Sequence, residues 1–180
     1  MSNVWWCNQT KCWSVEQPAG IIGGATNCAR PKYRQMVMEA RPGDVVVHYR
    51  SGSLKAIYAV SMISTEPRRD IVRVAGTARC WPHGEEGWFC EADYVELNHL
   101  IPKAAFLRDP APLRNDDGPL VKGDRIRRAY FMRFTPEGLA SLHALSTGNW
   151  PSWAILACAQ EVDAPEIVSR PDDRPTPPLR

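Results

Sequence analysis

Three groups of residues in this 180-residue chain could do chemistry, and each suggests a different kind. Cys80, His83, Glu85, Glu86 and Cys90, with Cys7 or Cys12, carry the thiols, imidazole and carboxylates that bind zinc. Their spacing matches no standard paired ligand motif. Isolated thiols are the better reading, and no metal or other cofactor is expected. The second group is basic: Arg30, Lys32 and Arg34 form one cluster, Lys122, Arg125, Arg127 and Arg128 another, with Lys55 between them in sequence. Guanidinium and ammonium groups suit phosphates, and affinity built on them falls with salt. The bland alternative is an ordinary solvated face. The third group is the run Val4-Trp5-Trp6-Cys7-Asn8-Gln9, in which a strongly apolar stretch ends in two carboxamides. A carboxamide both donates and accepts, and leaving one unpaired in a core costs about 1–3 kcal/mol. Such a group is either satisfied internally or offered to a ligand.

The elements that must hold these groups can be read from spacing. Aromatic and β-branched residues make Val4 to Gln9 a strand. Val4, Trp6 and Asn8 share one face, and Trp5 and Cys7 the other. Thr10 to Asn27, with Gly20, Gly23 and Gly24, reads mostly as loop. Pro31 opens a helix whose Tyr33, Met36, Val37 and Ala40 recur at helical spacing, and Arg41-Pro42-Gly43-Asp44 ends it. Val45 to Tyr49 and Leu54 to Ile63 form a hairpin around Arg50 to Ser53. His48 alternates opposite Tyr49 and is expected to point outward. Ile71 to Arg79 is a further strand. Trp88 to Leu97 is another, with Trp88, Cys90, Ala92 and Tyr94 on one side. Leu107 to Val121 is an irregular insertion of the kind that is often functional. Ala129 to Phe134 is a strand, and Thr135 caps a helix with Pro136 in its first turn and Leu139, Leu142 and Leu145 on its buried stripe.

With no βαβ rhythm, this pattern predicts an α+β protein: a small curled mixed β-barrel of five or six strands with peripheral helices. The length suits one core, assigned to residues 1–162. Residues 163–180, rich in Pro, Asp and Arg, read as a linker or flexible tail. The net charge of +2 does not by itself require a nucleic-acid partner. No stretch approaches the roughly 18 apolar residues of a membrane span. The start lacks a secretory pattern, and the cysteines then fit a reducing, cytoplasmic setting. No Ser/His/Asp order or nucleotide loop stands out, so an enzyme is not expected.

Several of these motifs fall in one familiar order. Trp5-Trp6-Cys7-Asn8-Gln9 resembles the opening Trp-Trp-Val-Asn-Gln of EVE domains, members of the PUA-like superfold related to YTH domains. Arg41-Pro42-Gly43-Asp44-Val45-Val46-Val47-His48-Tyr49 followed by Leu54-Lys55-Ala56-Ile57 is similar to that family's helix-turn-hairpin. Gly87-Trp88 through Tyr94-Val95-Glu96-Leu97, then Ile101-Pro102-Lys103, matches its later strand, and Arg128-Ala129-Tyr130-Phe131 its last. The likeness spans roughly residues 3–146 and is strongest to the versions attached to restriction nucleases that act on modified DNA.

This resemblance implies a noncatalytic reader of double-stranded DNA that flips a modified cytosine (5-methyl-, hydroxymethyl- or glycosylated) into an aromatic pocket. Flipping costs a few kcal/mol, which stacking and base-edge hydrogen bonds must return. The implied pocket residues are Trp6, Asn8, Gln9, Trp13, Gly23, Tyr49, Ser51, Trp88 and Tyr94. Trp6 and Trp88 also read as core, and Tyr49 and Tyr94 as buried hydrogen-bonding tyrosines. Relatives follow the first strand with Gly-Tyr-Leu-Trp, whereas this chain has Gly20-Ile21-Ile22-Gly23. Either Trp13 replaces the missing wall, or the pocket is enlarged for a bulkier base. The resemblance further implies a bacterial restriction or phage-defence role, with an HNH nuclease or motor ATPase effector beyond this chain or as a partner. The alternatives are a reader of modified RNA and, less favoured, a metal-dependent nucleic-acid enzyme.

Overall fold

The computed structural model describes residues 2–10, 12–25, 35–71, 86–121 and 124–159. Its centre is β1 (Val4–Gln9), paired in parallel with β3 (Val45–Arg50) and antiparallel with β9 (Phe131–Phe134). β3 turns through residues 51–55 into β4 (Ala56–Ile63), forming the expected hairpin. The long β6 (Glu86–Pro102) lies against β4 and, further along the same side, the short β5 (Arg68–Ile71), and on its other side holds β2 (Ile21–Ala25). The resulting order, β2-β6-β4-β3-β1-β9, curls into a half-barrel.

Both faces of this sheet are covered. Val4, Trp6, Val45, Val47, Tyr49, Ile57 and Val60 pack on one side against Phe106 of α2 (Lys103–Phe106), Leu139 and Leu142 of α3 (Pro136–Ala144), and Ala154 and Ala157 of α4 (Ser152–Cys158). On the inner, concave side Trp5, Cys7, Ile22, Val46, Ile63, Cys90, Tyr130 and Phe131 form a second core. The predicted cap holds: the Thr135 hydroxyl oxygen accepts from Gly138 N at 3.0 Å, with Pro136 opening α3. Leu145 follows that helix and is 45% exposed, so the buried stripe ends at Leu142.

Other expectations are corrected. The described part of the stretch 10–27 is not mostly loop: it holds α1 (Trp13–Glu16) and the fully buried β2. Its glycines hid the strand. A Cβ at Gly23 would stand 2.2 Å from the Trp88 carbonyl oxygen and 2.6 Å from Phe89 Cβ. Glycine here permits close approach of β2 to β6. Of the helix expected from Pro31, the described part is a 3₁₀ turn, Met36–Glu39, with Met36, Val37 and Ala40 buried as the spacing required. The insertion at 107–121 contains a 3₁₀ turn, Ala111–Leu113, and a strand, β7 (Leu120–Val121), paired with β8 (Arg125–Ile126). Residues 72–85 and 160–180 lie outside the described residues.

The entry end of β1 is tied to β3 by Asp44, which is buried. Its carboxylate accepts from Asn3 N at 2.8 Å, Arg41 N at 2.9 Å and Trp5 Nε1 at 2.8 Å. Replacing Asp44 with Ala strands these donors, each at a cost of about 1–3 kcal/mol before water returns. Asp44→Ala is expected to lower the unfolding free energy by about 3 kcal/mol in chemical denaturation.

Candidate nucleic-acid interface

One end of the half-barrel gathers the chemistry. There β1 ends at Gln9, β3 ends at Arg50, β4 starts at Ala56 and β6 ends at Pro102, in register with one another. Residues 127–130 enter β9 beside them, with Asn8 N donating to the Tyr130 carbonyl at 2.7 Å. The β3–β4 ladder breaks between His48 and Tyr49, leaving Tyr58 as an extra residue on β4. Bulges re-aim side chains, and this one directs the Tyr58 hydroxyl to Gln9.

Gln9 is 1% exposed and uses all four of its hydrogen-bonding positions. Nε2 donates to Glu16 Oε2 at 2.7 Å and to the Tyr94 hydroxyl at 3.3 Å. Oε1 accepts from the Tyr58 hydroxyl at 2.6 Å and faces His48 Nδ1 at 3.0 Å. A carboxylate only accepts when ionised, so Glu16 fixes which end of the amide is nitrogen. His48 Nδ1 must therefore carry the proton, and Nε2 accepts from Ser61 Oγ at 2.7 Å. Tyr94 donates in turn to the Ile21 carbonyl at 3.0 Å and lies with its ring centroid 4.4 Å from that of His48. Burial pushes the phenols of Tyr58 and Tyr94 upward and holds His48 near a pKa of about 3, so the imidazole stays neutral.

His48 is thus inward, against expectation, and fully buried. It does lie opposite Tyr49, but both faces of β3 are covered. The run Val45-Val46-Val47 was the available signal, since strands buried on both faces read as continuous apolar runs. Glu16, Tyr58, Ser61 and Arg50 were also missed. Ser61, His48 and Gln9 stand in the order of a hydrolytic relay, but all three are buried where no substrate reaches. Among the described residues no group of three or more His, Cys, Asp or Glu side chains is placed to hold a metal.

Outside this array Trp13 forms the rim. Its half-buried indole has the Arg50 guanidinium carbon 3.7 Å from its ring centroid, and Tyr58 approaches it edge-on with centroids 6.2 Å apart. Thr10 and Ser51 share a hydroxyl–hydroxyl bond of 2.8 Å beside it.

The expected pocket residues are therefore divided. Gln9, Trp13, Ser51 and Tyr94 meet at this end. Trp6 and Tyr49 stack at 5.4 Å inside the helix-facing core. Asn8 ends that same face, with Nδ2 donating to the Arg127 carbonyl at 3.0 Å and Oδ1 buried without a hydrogen-bond partner. Gly23 and Trp88 lie apart, between β2 and β6, where β6 backbone fills the space beside Gly23. Of the expected phosphate contacts, Arg127 spends its guanidinium on the Gly118 and Asp116 carbonyls. Lys55, Arg125 and Arg128 are exposed. Arg30, Lys32, Arg34 and Lys122 lie outside the described residues, as do Cys80, His83 and Glu85.

Neither a protein-family model nor a curated protein matches the sequence. Solved structures do. Human THYN1 in complex with 5-methylcytosine-containing DNA superposes with a TM-score of 0.56 at 14% identity, covering 83% of this chain and 100% of that one. Atu2648 from Agrobacterium tumefaciens gives 0.55 at 15% identity, covering 83% and 97%. The ASCH protein from Zymomonas mobilis gives 0.53 at 7% identity, covering 81% and 96%. The chain has a PUA-like fold. At these identities the likeness is one of fold, and the curled sheet of the PUA-like domain is what it shares. No described helix of this PUA-like domain is long and apolar enough to cross a membrane.

A buried neutral histidine makes the domain acid-sensitive. The unfolded chain binds a proton at His48 near pH 6.5, whereas the folded one resists until about pH 3. Stability is therefore full above pH 6.5 and falls as pH drops through this window. The loss attributable to His48 is roughly 3 kcal/mol by about pH 4.5. Urea unfolding across this range is expected to show a shallower pH dependence in His48→Asn than in the natural chain.

Proposed function

We propose that this chain is a noncatalytic DNA-binding module that recognises a modified cytosine by accepting the extruded base at the mouth of the half-barrel. The observation that carries this reading is Trp13: a half-buried indole at the barrel rim, steadied by Arg50 and Tyr58. A base stacked on such a ring gains about 1–3 kcal/mol, on the scale of the few kcal/mol that flipping costs. Arg50 covers one face, so the base takes the rest of the exposed ring. The shared fold of human THYN1, solved with 5-methylcytosine-containing DNA, supports DNA as the ligand class. In this reading the domain is the sensor of a modification-dependent restriction system, and any nuclease or motor activity resides in a fused or partner effector. The buried polar array behind Trp13 shapes the wall rather than contacting the base, because the hydrogen-bonding positions of Gln9 are filled.

The test is competition binding among duplexes that carry cytosine, 5-methylcytosine or 5-hydroxymethylcytosine and an RNA of the same sequence. Preference for a modified duplex is expected; preference for unmodified DNA or for RNA overturns the reading. Trp13→Ala should weaken modified-duplex binding by roughly 5- to 150-fold, the stacking energy expressed as affinity. Unchanged affinity removes Trp13 from the site.

A further inference from the structure

The arginines of the described chain fall into several kinds. Arg41, Arg68, Arg69, Arg114 and Arg133 each pair with a carboxylate, namely Glu66, Glu91, Glu86, Asp124 and Glu39. Arg127 is bonded to carbonyls. Arg50, Arg108 and Arg125 belong to neither set: among the described residues their guanidiniums have no carboxylate within 4.0 Å and make no side-chain hydrogen bond, and the Arg50 guanidinium carbon lies over the Trp13 ring, 3.7 Å from its centroid. Lys55 and Lys103 likewise have no such partner. Arg50, Lys55 and Lys103 sit at the same edge. Arg50 pairs in register with Ala56, Ala56 pairs with Pro102, and Lys103 N donates to the Lys55 carbonyl at 2.8 Å. The nearby exposed Glu96 is engaged by Gln17.

We infer that Arg50, Lys55 and Lys103 form a phosphodiester-binding edge for DNA, extended by the Thr10–Ser51 hydroxyl pair; this rests on the modified-DNA reading. A guanidinium carries its N–H donors in its plane. Stacking on Trp13 uses the face and leaves those donors available, so Arg50 is preorganised for bidentate phosphate contact. Neighbouring strands stand about 4.8 Å apart, so the three cations repel one another across adjacent strand ends. An anionic backbone relieves that repulsion, and the two hydroxyls add donors to phosphate oxygens.

The full chain, measured by fluorescence anisotropy from 50 to 200 mM salt on a 5-methylcytosine duplex and its unmodified counterpart, tests this. Each of Arg50→Gln, Lys55→Gln and Lys103→Gln should reduce the slope of log affinity against log salt by about 0.9, and the triple variant by about 2.7. Across that salt range the triple variant then loses roughly 40-fold less affinity than the natural chain. For Lys55→Gln and Lys103→Gln both duplexes should weaken by the same factor, since phosphate contacts carry no base information. Arg41→Gln, which breaks a pair outside the edge, should leave the slope unchanged. A triple variant with the natural slope overturns the edge, while a modified-base preference of the natural chain keeps the reading. Equal affinity of the natural chain for both duplexes, with the slope still reduced, overturns the reading and keeps the edge. No binding to either duplex overturns both. Tighter binding of RNA with the same slope changes overturns the assignment to DNA.

Discussion

The carboxamide of Gln9 is the constraint on which the rest of this fold turns. It is buried at the end of the central strand, and each of its four hydrogen bonds reaches a different element: Glu16 on α1, His48 on β3, Tyr58 on β4 and Tyr94 on β6. An unsatisfied polar group here would cost the domain about 1–3 kcal/mol, so these elements must arrive together. Polar arrays of this kind specify one arrangement when complete and penalise every partial one. Tyr94 extends the constraint to β2 through the Ile21 carbonyl, and Gly23 N completes the curl by donating to the Tyr130 hydroxyl at 2.9 Å. The inner face of the sheet is closed by hydrogen bonds at its open end and by apolar packing deeper in.

The position of Trp13 follows from that array. α1 is four residues long, too short to be stable alone, and its Glu16 side chain anchors it in the barrel. Trp13 stands one turn earlier, which carries its ring to the rim beside Arg50. The stacking platform is therefore placed by a buried carboxylate–amide bond rather than by the helix's own propensity. The same logic removes Trp6 and Tyr49 from the rim. They lie on the opposite face of β1 and β3, and their rings are committed to Phe106 and Phe134 as well as to each other.

What the sequence made legible was local and periodic. The first strand, the hairpin from Val45 to Ile63, the Thr135 cap and the mixed β class all follow from alternation, turn residues and capping chemistry, and all are present. The inward set was harder to read because it depends on which faces become covered. Alternation put His48 opposite Tyr49 correctly, yet could not show that the opposite face is an interior. Tyr58 enters the array through a bulge, and a one-residue irregularity leaves no periodic trace. β2 was concealed by glycines whose small size serves its contact with β6. Arg50 read as a turn residue, since its role depends on a ring brought from thirty-seven positions away in sequence (50 − 13).

Charge illustrates the same separation between a bulk property and a placed one. The net charge of +2 gives little reason to expect an anionic partner. Away from the open end Arg41, Arg68, Arg69, Arg114 and Arg133 are matched by carboxylates within 4.0 Å. Such exposed pairs contribute little stability each, but they do cancel the local field. At the open end, among the described residues, Arg50, Lys55 and Lys103 have no carboxylate within 4.0 Å: Glu16 is turned inward to Gln9 and Asp44 serves the far end of the strand. The array that buries Glu16 thus has two effects at once. It holds Trp13 at the rim, and it keeps the carboxylate of α1 from pairing with Arg50, so a nearly neutral domain presents Arg50, Lys55 and Lys103 without close carboxylate partners beside its half-buried aromatic ring.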